Sequence, residues 1–154
     1  MKARSIVLTL VLCSLALTLS FAENPNMSTW KLNEAKSKLV AGMIKNTMVT
    51  YTAEGDSVKV TTDGTGADGQ PMHTEWTGQF DGKDYPLTGD PSSDSRAYTK
   101  INDHTLTLAN KKSGVVTTKG RIVVSADGKT RTLTVSAKNS EGKTVTSTSV
   151  YDKQ

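Results

Sequence analysis

From Thr47 onward, apolar and polar residues alternate in short runs, and each run stops at a turn. Val58 and Val60 share one parity, as do Met72, Trp76 and Phe80; Leu106 and Leu108, Ile122 and Val124, and Leu133 and Val135 continue the pattern. Thr, Ser, Lys and Glu fill the positions between, so each run reads as a strand with one buried face and one solvated face. The turns are Glu54-Gly55, Asp68-Gly69, Asp81-Gly82, Ser113-Gly114, Asp127-Gly128 and Glu141-Gly142, with residues 89–94 (GDPSSD) and Asn102-Asp103 marking the wider interval. Glycine at such places supplies the positive φ that a tight hairpin requires. About ten strands are expected, starting near Thr29, Thr47, Ser57, Pro71, Asp84, Ser95, Thr105, Val115, Thr130 and Thr144.

Short connections make sequence neighbours pair in space, so the fold class is all-β, an antiparallel up-and-down meander. A ten-stranded meander left open exposes two edges, and closing it into a barrel removes both. A repeat solenoid does not fit, because the side chains between turns are not self-similar. An outer-membrane barrel needs aromatic girdles and an apolar outer face; this chain has 5% aromatics and places Lys and Thr outward.

The stretch before the meander is different. Trp30 sits in a short strand-like run, and residues 33–46 follow with helical spacing: Ala35, Leu39 and Met43 recur every fourth residue beside Val40 and Ile44, and Asn33 is placed to cap. One short helix after the first strand is therefore expected, covering an end of the barrel either as a lid or as a plain plug.

Composition adds a location. Lys2 and Arg4 precede an apolar run from Ser5 to Leu19, and Ser20 and Ala22 stand at the −3 and −1 positions of a cleavage site, so residues 1–22 read as a signal peptide and residues 23–154 as one exported domain. An apolar run of about 15 residues is short for a membrane span of about 20. The sole cysteine, Cys13, lies inside it, behind Leu12, which disfavours lipid attachment and excludes thiol catalysis from the exported domain. Without Lys2 and Arg4, 17 basic residues face 15 acidic ones, and the net charge falls from +4 to +2. The charges are interspersed, so no nucleic-acid surface is expected, and the domain is read as a periplasmic or extracellular monomer.

The first strand, Thr29 to Leu32 (TWKL), resembles the opening of the lipocalin and fatty-acid-binding-protein (calycin) superfamily, whose first strand carries a Gly-x-Trp motif; residues 146–154 (TSTSVYDKQ) resemble the closing strand of its fatty-acid-binding branch. Residues 27–154 as a whole are similar to small secreted bacterial proteins described only as lipocalin-like. The resemblance implies that Trp30 is a structural lock at the barrel floor, and a Trp's large buried area agrees with that. It also implies a lid at residues 33–46. In the fatty-acid-binding branch an Arg two residues before the final-strand Tyr pairs with the ligand carboxylate; Ser149 stands there in this chain, and Ser28 stands where the motif has Gly. A hydroxyl does not replace a guanidinium in a dry cavity, so Tyr151 is left without that partner.

Catalytic chemistry has little to draw on. His73 and Glu75 share a strand face opposite Met72, Trp76 and Phe80, which makes them solvated, and His104 falls in the Asn102-Asp103 turn. The glycines form no phosphate cradle, and the carboxylates of residues 81–94 match no EF-hand spacing. No enzyme, cofactor or metal site is expected. The primary reading is a barrel that binds a small hydrophobic or amphipathic molecule, with Met72, Trp76, Phe80, Tyr51 and Tyr151 as the candidate ligand contacts. The other reading is an interaction or envelope-associated module whose barrel is filled by its own side chains. A hollow interior of a few hundred Å³ separates the first from the second.

Overall fold

The computed structural model describes residues 24–138 and 142–154. The expected signal peptide, with Cys13, and the Glu141 half of the last turn lie outside the described residues. Ten strands run in order: β1 (Thr29–Leu32), β2 (Lys45–Glu54), β3 (Ser57–Thr65), β4 (Pro71–Gly78), β5 (Tyr85–Thr88), β6 (Ser95–Asn102), β7 (Thr105–Lys112), β8 (Val115–Val124), β9 (Thr130–Lys138) and β10 (Thr144–Lys153). Every strand pairs antiparallel with its neighbours in sequence, and β1 pairs with β10, so the sheet closes into a barrel. The strand starts coincide with those read from the turns, except that β2 begins at Lys45 and β5 at Tyr85. At the β7–β8 turn both Ser113 (φ 49°) and Gly114 (φ 80°) are left-handed, the geometry a two-residue hairpin needs to match strand twist.

The helical stripe after β1 does not form a helix of its full length. What exists is a single 3-10 turn, Glu34–Lys36, capped by Asn33, whose Oδ1 accepts from Lys36 N at 3.2 Å. The Ser37 hydroxyl then donates to Asn33 O and accepts from Val150 N. Lys38 exchanges both backbone hydrogen bonds with Thr148. Pairing with β10 satisfies this backbone in an extended form, and a helix would forfeit those bonds. Tertiary pairing thus overrides the weak local preference for helix.

Alternation sorts the side chains as the pattern requires. Trp30, Val49, Tyr51, Val60, Trp76, Tyr98, Leu106, Ile122, Val124 and Tyr151 point inward and are buried. The interior divides along the barrel axis. At the end that carries the β2–β3, β4–β5, β6–β7 and β8–β9 connections, aromatic rings fill the space: Trp76 packs edge-on against Tyr98 at 4.8 Å and stacks on Phe80 at 6.3 Å, and Tyr51 meets Phe80 and Tyr98. The approach is so close that a side chain on Gly78 would overlap the rings of Tyr85 and Trp76. Residues 24–28 cross this end. Trp30 Nε1 donates to Asn26 O at 3.0 Å, and the buried Asn26 in turn donates to Asp103 O. Trp30, fully buried, is part of this floor.

Candidate functional site

The opposite half of the barrel is not filled. It encloses a cavity of about 250 Å³ that reaches the end carrying the β3–β4, β5–β6, β7–β8 and β9–β10 connections. Gly42, Met43 and Ile44, from the strap between β1 and β2, form part of its mouth. Along β9 the inward parity that holds Leu133, Val135 and Ala137 on the cavity wall begins with Arg131. Along β6 the residue that shares this inward position with Tyr98 is Arg96.

Two guanidinium groups therefore lie inside the barrel, 8% and 2% exposed for Arg96 and Arg131. Arg96 is well supplied with neutral acceptors: Nε donates to Asn110 Oδ1 at 2.7 Å and Nη1 to Tyr98 Oη at 3.2 Å. Arg131 is not. Its Nη2 donates to Tyr51 Oη at 2.8 Å, while Nε and Nη1 have no acceptor. Its Cζ lies 5.4 and 5.1 Å from the ring centres of Tyr51 and Tyr151, so part of the charge rests on aromatic rings. None of the ion pairs of the described residues includes either arginine.

The tyrosines do not cancel this charge. Burial pushes the Tyr51 phenol far above its ordinary range, against the opposing pull of Arg131, and burial raises Tyr151 in the same way. Both are neutral dipoles at neutral pH. Burial on its own would lower the pKa of Arg131, but the facing phenol oxygens of Tyr51, Tyr151 and Tyr98 more than offset that, and the group stays a cation. Among the described residues the one carboxylate on the cavity wall is Asp90, whose Oδ1 accepts from Ser92 N at 2.8 Å and Ser92 Oγ at 2.6 Å.

The residues singled out in the sequence fall in different places. Met72 and Tyr151 line the cavity. Tyr51 stands behind it, reaching it through Arg131. Trp76 and Phe80 belong to the packed aromatic cluster of the other half, where Trp76 Nε1 donates to Arg96 O. Tyr151 is not without a guanidinium: β9 places Arg131 directly opposite it in register. The expectation drawn from Ser149 looked along β10 alone and missed the neighbouring strand. Arg131 was visible in principle, as a charged residue on the same parity as Leu133 and Val135. Arg96 shares its parity with Tyr98 in the same way.

His73 and Glu75 lie on the outer face with their side chains 53% and 46% exposed, beside Asp63 and Lys59. His73 Nδ1 is 2.6 Å from Asp63 Oδ1. The ring of His104, in the β6–β7 turn, meets Val124 O at the end of β8. Within residues 81–94 the carboxylates are engaged in turn and cross-strand contacts, Asp81 with Lys83 N and Tyr85 Oη, Asp84 with Lys111, and Asp94 with Ser113 N. Among the described residues no group of three or more His, Cys, Asp or Glu side chains is arranged to hold a metal ion.

No protein-family model matches the chain, and no curated protein matches it. Among solved structures the chain is similar to a redesigned β-barrel, mFAP1, bound to DFHBI, at 15% identity and a TM-score of 0.43, over 84% of this chain and 95% of that one.

Proposed function

We propose that the protein is an exported, non-enzymatic barrel that binds a small amphipathic molecule in its interior. The observation that carries the reading is the cavity of about 250 Å³, built at one end of an otherwise well-packed barrel and walled by both apolar and polar side chains. Ligand pockets have this mixed lining, with a few placed polar groups among apolar ones. The volume lies just under the usual range for drug-sized ligands, roughly 300–1,000 Å³, so the occupant is a short chain or a single ring. Neither histidine lines the cavity, so it has no imidazole base, which favours binding over catalysis. Export is supported by the charged, apolar and small-residue order of residues 1–22.

Native mass spectrometry of the protein drawn from its own source tests this. A non-covalent adduct of low mass is expected, together with a rise in unfolding temperature when millimolar octanol or octanoate is added. A bare mass and an unchanged unfolding temperature with both compounds would overturn the reading.

A further inference from the structure

We infer that the ligand carries a neutral amide head, open or cyclic, and that the arc of wall formed by Asp90, Arg96 and Asn110 receives it. The inference rests on the binding reading above and names the ligand chemistry of that same cavity.

The polar groups of the wall are gathered on one side. Arg96, Asn110 and Thr118 occupy one register row across β6, β7 and β8, and the row continues to Ala137 of β9; all four line the cavity. Asp90, in the β5–β6 connection, extends this arc at the mouth end. On β9 and the strap the wall is apolar instead, with Leu133, Val135, Met43 and Ile44. A guest is thus offered hydrogen bonds along one flank and apolar contacts along another.

Three atoms of the arc are left over. Asp90 Oδ1 takes both Ser92 donors, while Oδ2 accepts from no protein group. Arg96 spends Nε and Nη1 on Asn110 and Tyr98, which leaves Nη2 without an acceptor. Asn110 Oδ1 accepts from Arg96, and its Nδ2 donates to nothing. The three side chains are only 6%, 8% and 6% exposed, yet none of these atoms is sealed inside the protein. Among the described residues, the enclosed polar atoms without partners belong to Asn26, Asn46 and Arg131. A guest in the cavity can therefore meet Asp90, Arg96 and Asn110, whereas the bare nitrogens of Arg131 are shut away from it.

The mixture of one acceptor and two donors sets the chemistry of the head. No ion pair joins Asp90 to Arg96, so both are free to bond a guest. A carboxylate would bring Asp90 a second negative charge and no proton to accept. An ammonium would give Arg96 and Asn110 no acceptor and add to the positive charge of Lys138 on the same wall. A hydroxyl crowds donor and acceptor onto one atom. An amide carries an N–H and a C=O on separate atoms and no net charge, which answers both kinds of group at once.

Isothermal titration of the full chain with octanamide, against N,N-dimethyloctanamide, octanol, octanoate and octylamine, tests the inference. Octanamide is expected to bind roughly tenfold tighter than its dimethyl twin, which keeps the carbonyl but has no N–H for Asp90, because a buried charged acceptor left unpaired is costly. It is also expected to bind tighter than the alcohol, the acid and the amine. Asp90→Asn keeps an oxygen for Ser92 and puts an NH2 in place of Oδ2, so it is expected to erase the preference between the two amides. Should that variant fail to fold, the side-chain NH2 of Asn110 in the wild type supplies the second readout: its NMR resonances are expected to move with octanamide and not with octylamine. Equal affinity for the two amides, tighter binding of the alcohol, acid or amine, or unmoved Asn110 resonances would overturn the amide while leaving the binding reading in place. Failure of all five compounds at millimolar concentration would remove both.

Discussion

The two halves of this barrel are made from the same ten strands and the same alternation, yet they spend their interiors differently. The floor half closes on itself: Trp30, Trp76, Phe80, Tyr51 and Tyr98 fill it, and the indole nitrogens donate to Asn26 O and Arg96 O. The mouth half carries Arg131, Asn46, Thr62 and Thr74 on its inner wall and keeps a cavity. Burial of large rings holds the barrel together; the mouth half contains buried polar groups that a purely structural core would replace with Leu or Val. Packing and cavity are thus separated along one axis, and substitutions should respond according to the half they touch.

The largest effect belongs to the floor. Trp76→Ala removes a fully buried ring that touches three other aromatic residues. A loss of roughly 3–5 kcal/mol is expected, read from the urea midpoint, and a loss under 1 kcal/mol would show that the rings are not the stabilising element. Arg131→Met reverses the sign. Replacing an uncompensated buried charge by an apolar chain of similar length is expected to raise stability by about 1–4 kcal/mol. A clear drop in the unfolding temperature would mean that Arg131 is structural.

Smaller still is the effect at Thr62 and Thr74, whose buried hydroxyls bond to each other across β3 and β4. Thr62→Val alone is expected to cost about 1–3 kcal/mol, by stranding Thr74, and the double replacement by Val to be nearly neutral. Additive losses would refute the pairing. The smallest change lies outside the barrel. Asp63, then Glu75, hold the His73 pKa above its ordinary value, so their stabilising contribution is present below about pH 6.5 and fades as pH rises through the raised value. Asp63→Asn is expected to shift the His73 titration downward by NMR and to flatten that pH dependence; an unchanged titration would discount the contact.

Most of the fold was legible because two signals agreed. Gly turns set where strands stop, and parity set which face goes inward, so strand starts from Ser57 to Thr144, that of β5 excepted, could be read off the chain. The stretch after Trp30 was not legible, because Ala35, Leu39 and Met43 follow a helical period while Ser37 and Lys38 are claimed by Val150 and Thr148, more than a hundred positions away. Local spacing carries no trace of that competitor. The site was half legible. Met72 and Tyr151 followed from parity, but Arg131 did not, since attention to apolar repeats passes over a charged residue at the head of one. A cation on an inward parity is itself the signal.

The seam between β1 and β10 sets the order in which this barrel can be completed. All other strand-to-strand pairings join neighbours, but Trp30 meets Lys153, Leu32 meets Tyr151, and Gln154 N bonds to Thr29 O. A chain emerging from its N-terminus can form hairpins as they appear, yet β1 has no second partner until the final residues arrive, and joining ends so far apart carries the full entropy of a long loop. Closure is therefore the last event, and until it happens two strand edges stay open.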